Sequence, residues 1–294
     1  MSAVIKPGAY EMADAEYFAD PCPTPSLSRS DAWTIITKSP LHCWWQHPRL
    51  GNAERKPPAD NMIDGIVFEK LLIGNTAAVH VIDADNYRGG EARAQKAEAF
   101  AQCAVPILKH KLAALEQAAE AVHDRMKLSG LERMFKARQQ LVLIAQYGPI
   151  ALRGKLDSIN PDTREIWDLK LGKANLQPVE YGKHAERMGY SFQAYFYTYL
   201  ASQVFGGEMS DWVFRTVAVE ADEPHSHAVF RYSEATFALN DQRFQRACQL
   251  FDAGLRSEHW PGYHEQEHEL SPPTFAEYDE IARDEQFEKL KGAA

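Results

Sequence analysis

Residues 154–170 read GKLDSINPDTREIWDLK. Asn160-Pro161-Asp162 has the chemistry of a turn, since proline fixes φ and Asn or Asp side chains bond their own backbone. The stretches on either side, IALRGKLDSI (150–159) and EIWDLKL (165–171), have the composition of strands, as does QLVLIAQY (140–147) before Gly148-Pro149. Together they predict an antiparallel meander. In that meander Asp157 and Asp168, one on each side of the turn, face each other. The period of two puts Asp168 and Lys170 on one side of their strand and turns Trp167 and Leu169 toward the core. Two carboxylates and an ammonium then converge where folding asks for no charge.

That trio has a chemical use. Hard cations such as Mg²⁺ or Mn²⁺ take oxygen ligands, commonly one or two carboxylates with water and substrate phosphate completing the shell. Such a metal polarises a phosphate and acidifies a bound water, and a neighbouring ammonium holds that water and offsets developing negative charge. An Asp-x-Lys pair alone is common on exposed strands, where it is worth roughly 0–1 kcal/mol. The wider sequence has to decide.

Working outward, RMGYSFQAYFYTYLASQVF (187–205) predicts one helix of about 20 residues. Gln193 and Tyr197, four apart, share a face of it. Strands are expected in DWVFRTVAVE (211–220) and HAVFRYS (227–233), then a helix over 234–256. Toward the N-terminus, residues 91–137 are rich in Ala, Leu, Glu and Lys and predict two or three helices with a break at Ser129-Gly130. Met62, Ile66, Val67, Leu71 and Leu72 have helical spacing, so Glu69 lies on a helix with an apolar face. Ser28 or Ser30 caps a further helix over DAWTIITKS (31–39), and Pro, Ala and acidic residues make 1–27 an extended arm. The class is α/β. A single domain over 1–294 is expected, with a mostly helical elaboration at 28–137, a catalytic core at 138–258 and a tail at 259–294.

With 45% apolar and 25% charged residues the 294-residue chain has material for a sizeable core and no signature of disorder. Its longest apolar runs, such as GIVFEKLLIG (65–74), are shorter than the roughly 20 residues that span a bilayer. The N-terminus lacks the basic flank and apolar core of a secretory signal, so a cytoplasmic location is expected. Cys22, Cys43, Cys103 and Cys248 are too scattered for a zinc ribbon or disulfide framework. A net charge of −9 excludes coating nucleic acid by bulk electrostatics. Any contact with DNA needs a local basic groove, for which Arg153 and Lys155, on the strand face of Asp157, are candidates. His264 with His268 and His225 with His227 have metal-like spacing but lack a third ligand, and His42, Trp44, Trp45 and His47 read as core aromatics. No phosphate-binding glycine loop and no G-x-S-x-G elbow occurs.

The set Asp157…Asp168-Leu169-Lys170 resembles the PD-(D/E)XK nuclease signature, and Gln193 with Tyr197 resembles the Q-x-x-x-Y helix motif of RecB-like nucleases. The segments 15–50 (AEYFADPCPTP…WWQHPRL), 81–100 (VIDADNYRGG…AEAF) and 259–278 (HWPGYHEQEHELSPPTFAEY) look like the exodeoxyribonuclease VIII (RecE-like) family of phages and prophages. The resemblance implies a restriction-endonuclease-like core, a central mixed sheet flanked by helices. It implies a Mg²⁺- or Mn²⁺-dependent exonuclease that resects linear double-stranded DNA from the 5′ end, acts with a single-strand annealing protein and assembles as a homo-oligomer. Asp157 and Asp168 would hold metal, the Leu169 carbonyl would complete the shell, Lys170 would serve the nucleophilic water, and Gln193 and Tyr197 would orient the site. Two departures stand out. Leu156 replaces the proline of the signature, and Glu69 in GIVFE (65–69) stands where RecB-like members present a histidine, as a carboxylate does in lambda-type exonucleases. A DNA-end-binding protein that does not cut is the alternative from another class.

Overall fold

In the computed structural model, which describes residues 6–51, 57–73, 79–263, 267, 269–274, 278, 280–281 and 283, the opening stretch folds as two strands and a turn. The Asn160 side chain accepts from the Asp162 and Thr163 amides at 3.0 and 3.3 Å, which builds the turn the sequence announced.

The elements run in the order β1 (Gly8–Tyr10), α1 (Asp14–Phe18), β2 (Leu27–Ser28), α2 (Arg29–Thr37), α3 (Pro40–Gln46), α4 (Asp60–Leu72), β3 (Val79–Ile82), α5 (Gly90–Ala101), β4 (Val105–Leu108), α6 (Lys109–Leu128) and α7 (Arg133–Lys136). They continue with β5 (Arg138–Tyr147), β6 (Ile150–Asn160), β7 (Glu165–Gly172), α8 (Pro178–Met188), α9 (Tyr190–Phe205), β8 (Val213–Glu220), β9 (His227–Phe230) and α10 (Glu234–Ser257). The main sheet has the order β1-β5-β6-β7-β8-β9, with β2 added on β6. Neighbours are antiparallel except β7 with β8 and β2 with β6, which are parallel, so the sheet is mixed. A parallel neighbour needs a crossover, and α8 and α9 supply it between β7 and β8.

Alternation along the strands divides the core. Leu141, Leu143, Leu156 and Ile166 pack with Phe192, Phe196 and Leu200 of α9 and Phe244 and Phe251 of α10. Trp167, Leu169, Val217 and Val219 point into a second cluster with Ile63, Val67 and Phe68 of α4 and Leu115 and Val122 of α6. The meander and its two-faced pattern are as expected, and so is the α/β class, a central mixed sheet flanked by helices.

The helices and strands depart from expectation in three places. The single helix expected over 187–205 is two helices, because Gly189 has φ +70° and a Cβ there would lie 2.5 Å from Cε2 of Trp33. Inside the stretch expected to be helical, β3 and β4 pair in parallel around α5 as a small second sheet. Four-residue strands carry too little periodicity to be told from helix. The expected arm carries more structure than an extended chain, since Gly8–Tyr10 adds to the sheet along β5 and Leu27–Ser28 along β6.

Residues 1–260 and 261–294 form two compact units, and every element above belongs to the first. In the second, Arg283 donates to Glu280 at 3.1 Å; His264 and His268 lie outside the described residues. Among the described residues no helix is long and apolar enough to cross a membrane.

Candidate functional site

The ladder between β6 and β7 ends at the Ser158–Trp167 pair, and one step further along that register Asp157 stands opposite Asp168. The strands part there. The Leu169 amide, freed from the ladder, donates to Asp157 Oδ2 at 2.9 Å. Asp168 is 1% exposed, its Oδ1 accepts from Gln193 Nε2 at 2.6 Å, and its Oδ2 lies 2.6 Å from Lys170 Nζ. Two residues of α9 and β7 thus hold one carboxylate from either side.

The site is electrostatically tight. Burial first, and then the negative charges of Glu69 and Asp168, push the Asp157 carboxyl well above its ordinary value. Burial works against the charge of Lys170, but Asp168 and Asp157 outweigh it and raise the ammonium, which stays protonated at neutral pH. Glu69 comes from α4, and burial pushes its carboxyl up to about 7, with Lys170 opposing and Asp168 adding to the rise. The four groups expected from the sequence therefore share one field.

The pH dependence follows with a definite sign. Glu69 titrates near about 4.3 in an unfolded chain and at about 7 in the folded one. Between those values the folded state holds the extra proton, so without metal its stability falls as pH rises through this window. Asp157 acts in the same direction. Thermal melts in EDTA between pH 5 and 8 are expected to show the fall, and Glu69→Gln to flatten part of it.

Gln140 is a site residue that sequence reasoning missed. By the β5–β6 register it stands opposite Asp157, yet the ladder skips that pair, Gln140 has φ +52°, and its side chain donates to Glu69 Oε1. A non-glycine residue in the left-handed region at a site is a strained position the surroundings must hold. Nothing in the residue type announced it. Arg29 at the start of α2 was missed as well: its guanidinium bonds the Met188 and Gly189 carbonyls at 3.0 and 2.5 Å and feels the charge of Asp168.

Tyr197 is buried, and its phenol is pushed well above the ordinary value by burial, with Asp168 and Asp157 adding to the effect. Gly154 makes room for it, since a Cβ there would lie 2.6 Å from Leu200 Cδ1 and 2.9 Å from Tyr197 Cε1. Gly154→Ala is expected to cost roughly 1–3 kcal/mol through overpacking, read as a lower urea midpoint.

Of the two expected DNA contacts, Arg153 needs correction. Arg153 is buried, bonded to Ser26 O and Oγ at 2.5 and 2.6 Å, and flanked by Asp20 and Asp31 at 3.5 and 3.6 Å. The arm covers its side of β6, so the guanidinium anchors the arm. Lys155, on the same face, pairs with Asp14 of α1.

A hard divalent cation fits the donors present. They are oxygens, Asp168 Oδ2 is buried and receives no well-angled hydrogen bond among the described residues, and the carboxyls of Asp157 and Glu69 are raised by burial and, second, by neighbouring carboxylates. Among the described residues no three His, Cys, Asp or Glu side chains stand close enough to enclose a metal alone. Mg²⁺ does not require that, since water and phosphate commonly complete its shell.

A family model described as "PDDEXK-like domain of unknown function (DUF3799)" matches residues 69–269. A candidate exonuclease from Eubacterium rectale is similar in structure, with a TM-score of 0.61 at 12% identity, covering 90% of this chain and 96% of that one. A phage-related exonuclease from Haemophilus somnus 129PT aligns with a TM-score of 0.34 at 13% identity over 80% of this chain and 96% of its own. No curated protein matches the sequence.

Proposed function

Since the chain belongs to the PDDEXK-like DUF3799 family, we propose that it is a divalent-metal-dependent nuclease that hydrolyses phosphodiester bonds of DNA. The observation that carries this reading is the convergence of Asp157, Asp168 and Lys170, with Gln193 bonded to Asp168 at 2.6 Å. Asp157 and Asp168 are the metal ligands, with Glu69 as a further acidic donor and the Leu169 carbonyl completing the protein's share of the shell. Mg²⁺ or Mn²⁺ supplies Lewis acidity toward the phosphate and a water of lowered pKa. Lys170 holds the attacking water and offsets the charge that builds on the phosphoryl oxygens. Gln193 fixes the Asp168 carboxylate, and Tyr197, buried one turn further along α9, helps orient the site. Asp157 is oriented by the Leu169 amide and Glu69 by Gln140.

The substrate in this reading is the end of linear double-stranded DNA, digested 5′ to 3′ as in phage-type recombination. A single-strand annealing protein takes the product strand, and the enzyme works as a homo-oligomer in the cytoplasm of a bacterial host. The resemblance of the sequence to RecE-like exonucleases supports these finer points. Incubation with linear duplex and Mn²⁺ is expected to degrade it, and EDTA to stop the reaction, while covalently closed circles stay intact. Cutting of circles would make the enzyme an endonuclease, and tight binding without cutting would overturn the hydrolytic reading.

A further inference from the structure

Beside the metal-binding carboxylates lies a cavity of about 400 Å³ between α8 and the ends of β7 and β8. That volume falls in the range of roughly 300–1,000 Å³ typical of small-molecule sites. Lys170 belongs to both places: its Nζ is 2.6 Å from Asp168 Oδ2 and 5.0 Å from the centre of the Tyr190 ring, which lines the cavity. The other walls are chiefly aromatic and apolar, including Tyr181, His184, Leu176 and Ala218, with Met188 exposed among the lining residues.

Two details point to a planar, partly polar occupant. Tyr181 is 3% exposed, yet its hydroxyl has no hydrogen-bond partner among the described residues, a state that a buried phenol normally avoids. Its ring is fixed by stacking on Phe230 at 4.3 Å and 10°. The His184 ring stands 5.8 Å from those of both Tyr181 and Tyr190, so three rings border one space.

We propose that this cavity takes the base of the nucleotide whose phosphate pairs with Lys170, swung out of the duplex stack. The inference rests on the nuclease reading and deepens it by naming where the reacting nucleotide sits. An aromatic-walled space accepts any base, because every base has a π-face, and the Tyr181 hydroxyl meets a polar edge. Lys173, also at the cavity, pairs with Asp222 at 2.9 Å, so a backbone phosphate leaving the cavity would compete with that carboxylate.

The test uses the full chain in EDTA with two linear duplexes, one carrying 2-aminopurine as its 5′-terminal base and the other as its 3′-terminal base. Anisotropy reads binding and 2-aminopurine emission reads the surroundings of the base. One of the two probes is expected to change emission on binding. His184→Ala is expected to weaken that duplex about tenfold, the order for one stacked base, and Met188→Trp to remove the emission change by filling the mouth. Tyr181→Phe, nearly isosteric, should reduce affinity without altering the fold. No complex, a complex in which neither probe changes, or changes equal in wild type and Met188→Trp would each overturn the base pocket. The nuclease reading is judged separately, by degradation of unlabelled duplex in Mn²⁺, so either can fail without the other.

Discussion

Asp168→Ala is expected to lower hydrolysis of linear duplex by roughly 10³-fold or more, the scale on which losing a preorganised electrostatic group or a metal ligand acts. The residue joins every part of the site. Its Oδ1 is fixed by Gln193, its Oδ2 faces Lys170 at 2.6 Å, and its charge helps set the carboxyls of Asp157 and Glu69. Removing it leaves the Gln193 amide without its acceptor and Lys170 with Asp157 as its remaining aspartate partner, while Glu69 and Asp157 both titrate lower. Asp168→Asn separates shape from charge: it keeps the side-chain volume but offers at most a neutral carbonyl to a cation. Both variants should therefore lose activity together. If Asp168→Asn kept wild-type turnover under conditions where circular dichroism shows both proteins folded, the carboxylate would not be a metal ligand and the hydrolytic reading would fail with it.

Why the sequence disclosed this much, and no more, follows from the range over which each signal acts. A turn of Asn-Pro-Asp between two alternating strands fixes register locally, so the opposition of Asp157 and Asp168 follows from spacing alone. The approach of Gln193 to Asp168 combines a helical i, i+4 pair with the crossover from β7 to β8, and the family resemblance indicated the partnership before the distance did. Gln140 lies at the other extreme. Its left-handed φ accompanies a hydrogen bond to Glu69 of α4, far away in sequence, and glutamine has no intrinsic preference that would reveal it. Gly189 was visible as a residue but not as a helix boundary, because the clash that demands it involves Trp33, more than 150 residues earlier in the chain. Strands β3 and β4 were too short for their period to register.

Arg153 shows how a correct local inference leads to a wrong role. Alternation places it with Lys155 and Asp157, and a basic side chain two turns of the pleat from a candidate metal ligand invites a phosphate. The arm is what alters its surroundings. Asp20 gathers the Ser26 amide at 2.9 Å and the Ser26 hydroxyl at 2.6 Å, Asp31 accepts from the Ser28 hydroxyl at 2.6 Å, and the guanidinium lies between the two buried carboxylates. His47 and Arg49 also approach Asp20, at 3.6 and 3.7 Å. Arg153→Ala is expected to destabilise the fold by roughly 3–5 kcal/mol, because it leaves carboxylates buried without their cation, and urea unfolding measures it directly. Combining it with Asp20→Asn and Asp31→Asn should recover part of that loss, since the uncompensated charge goes with them. A phosphate contact predicts the opposite pattern: unchanged unfolding, weaker DNA binding, and a salt dependence shallower by about one unit of slope. The two accounts of Arg153 thus differ in which experiment moves, and stability is the one the buried network selects.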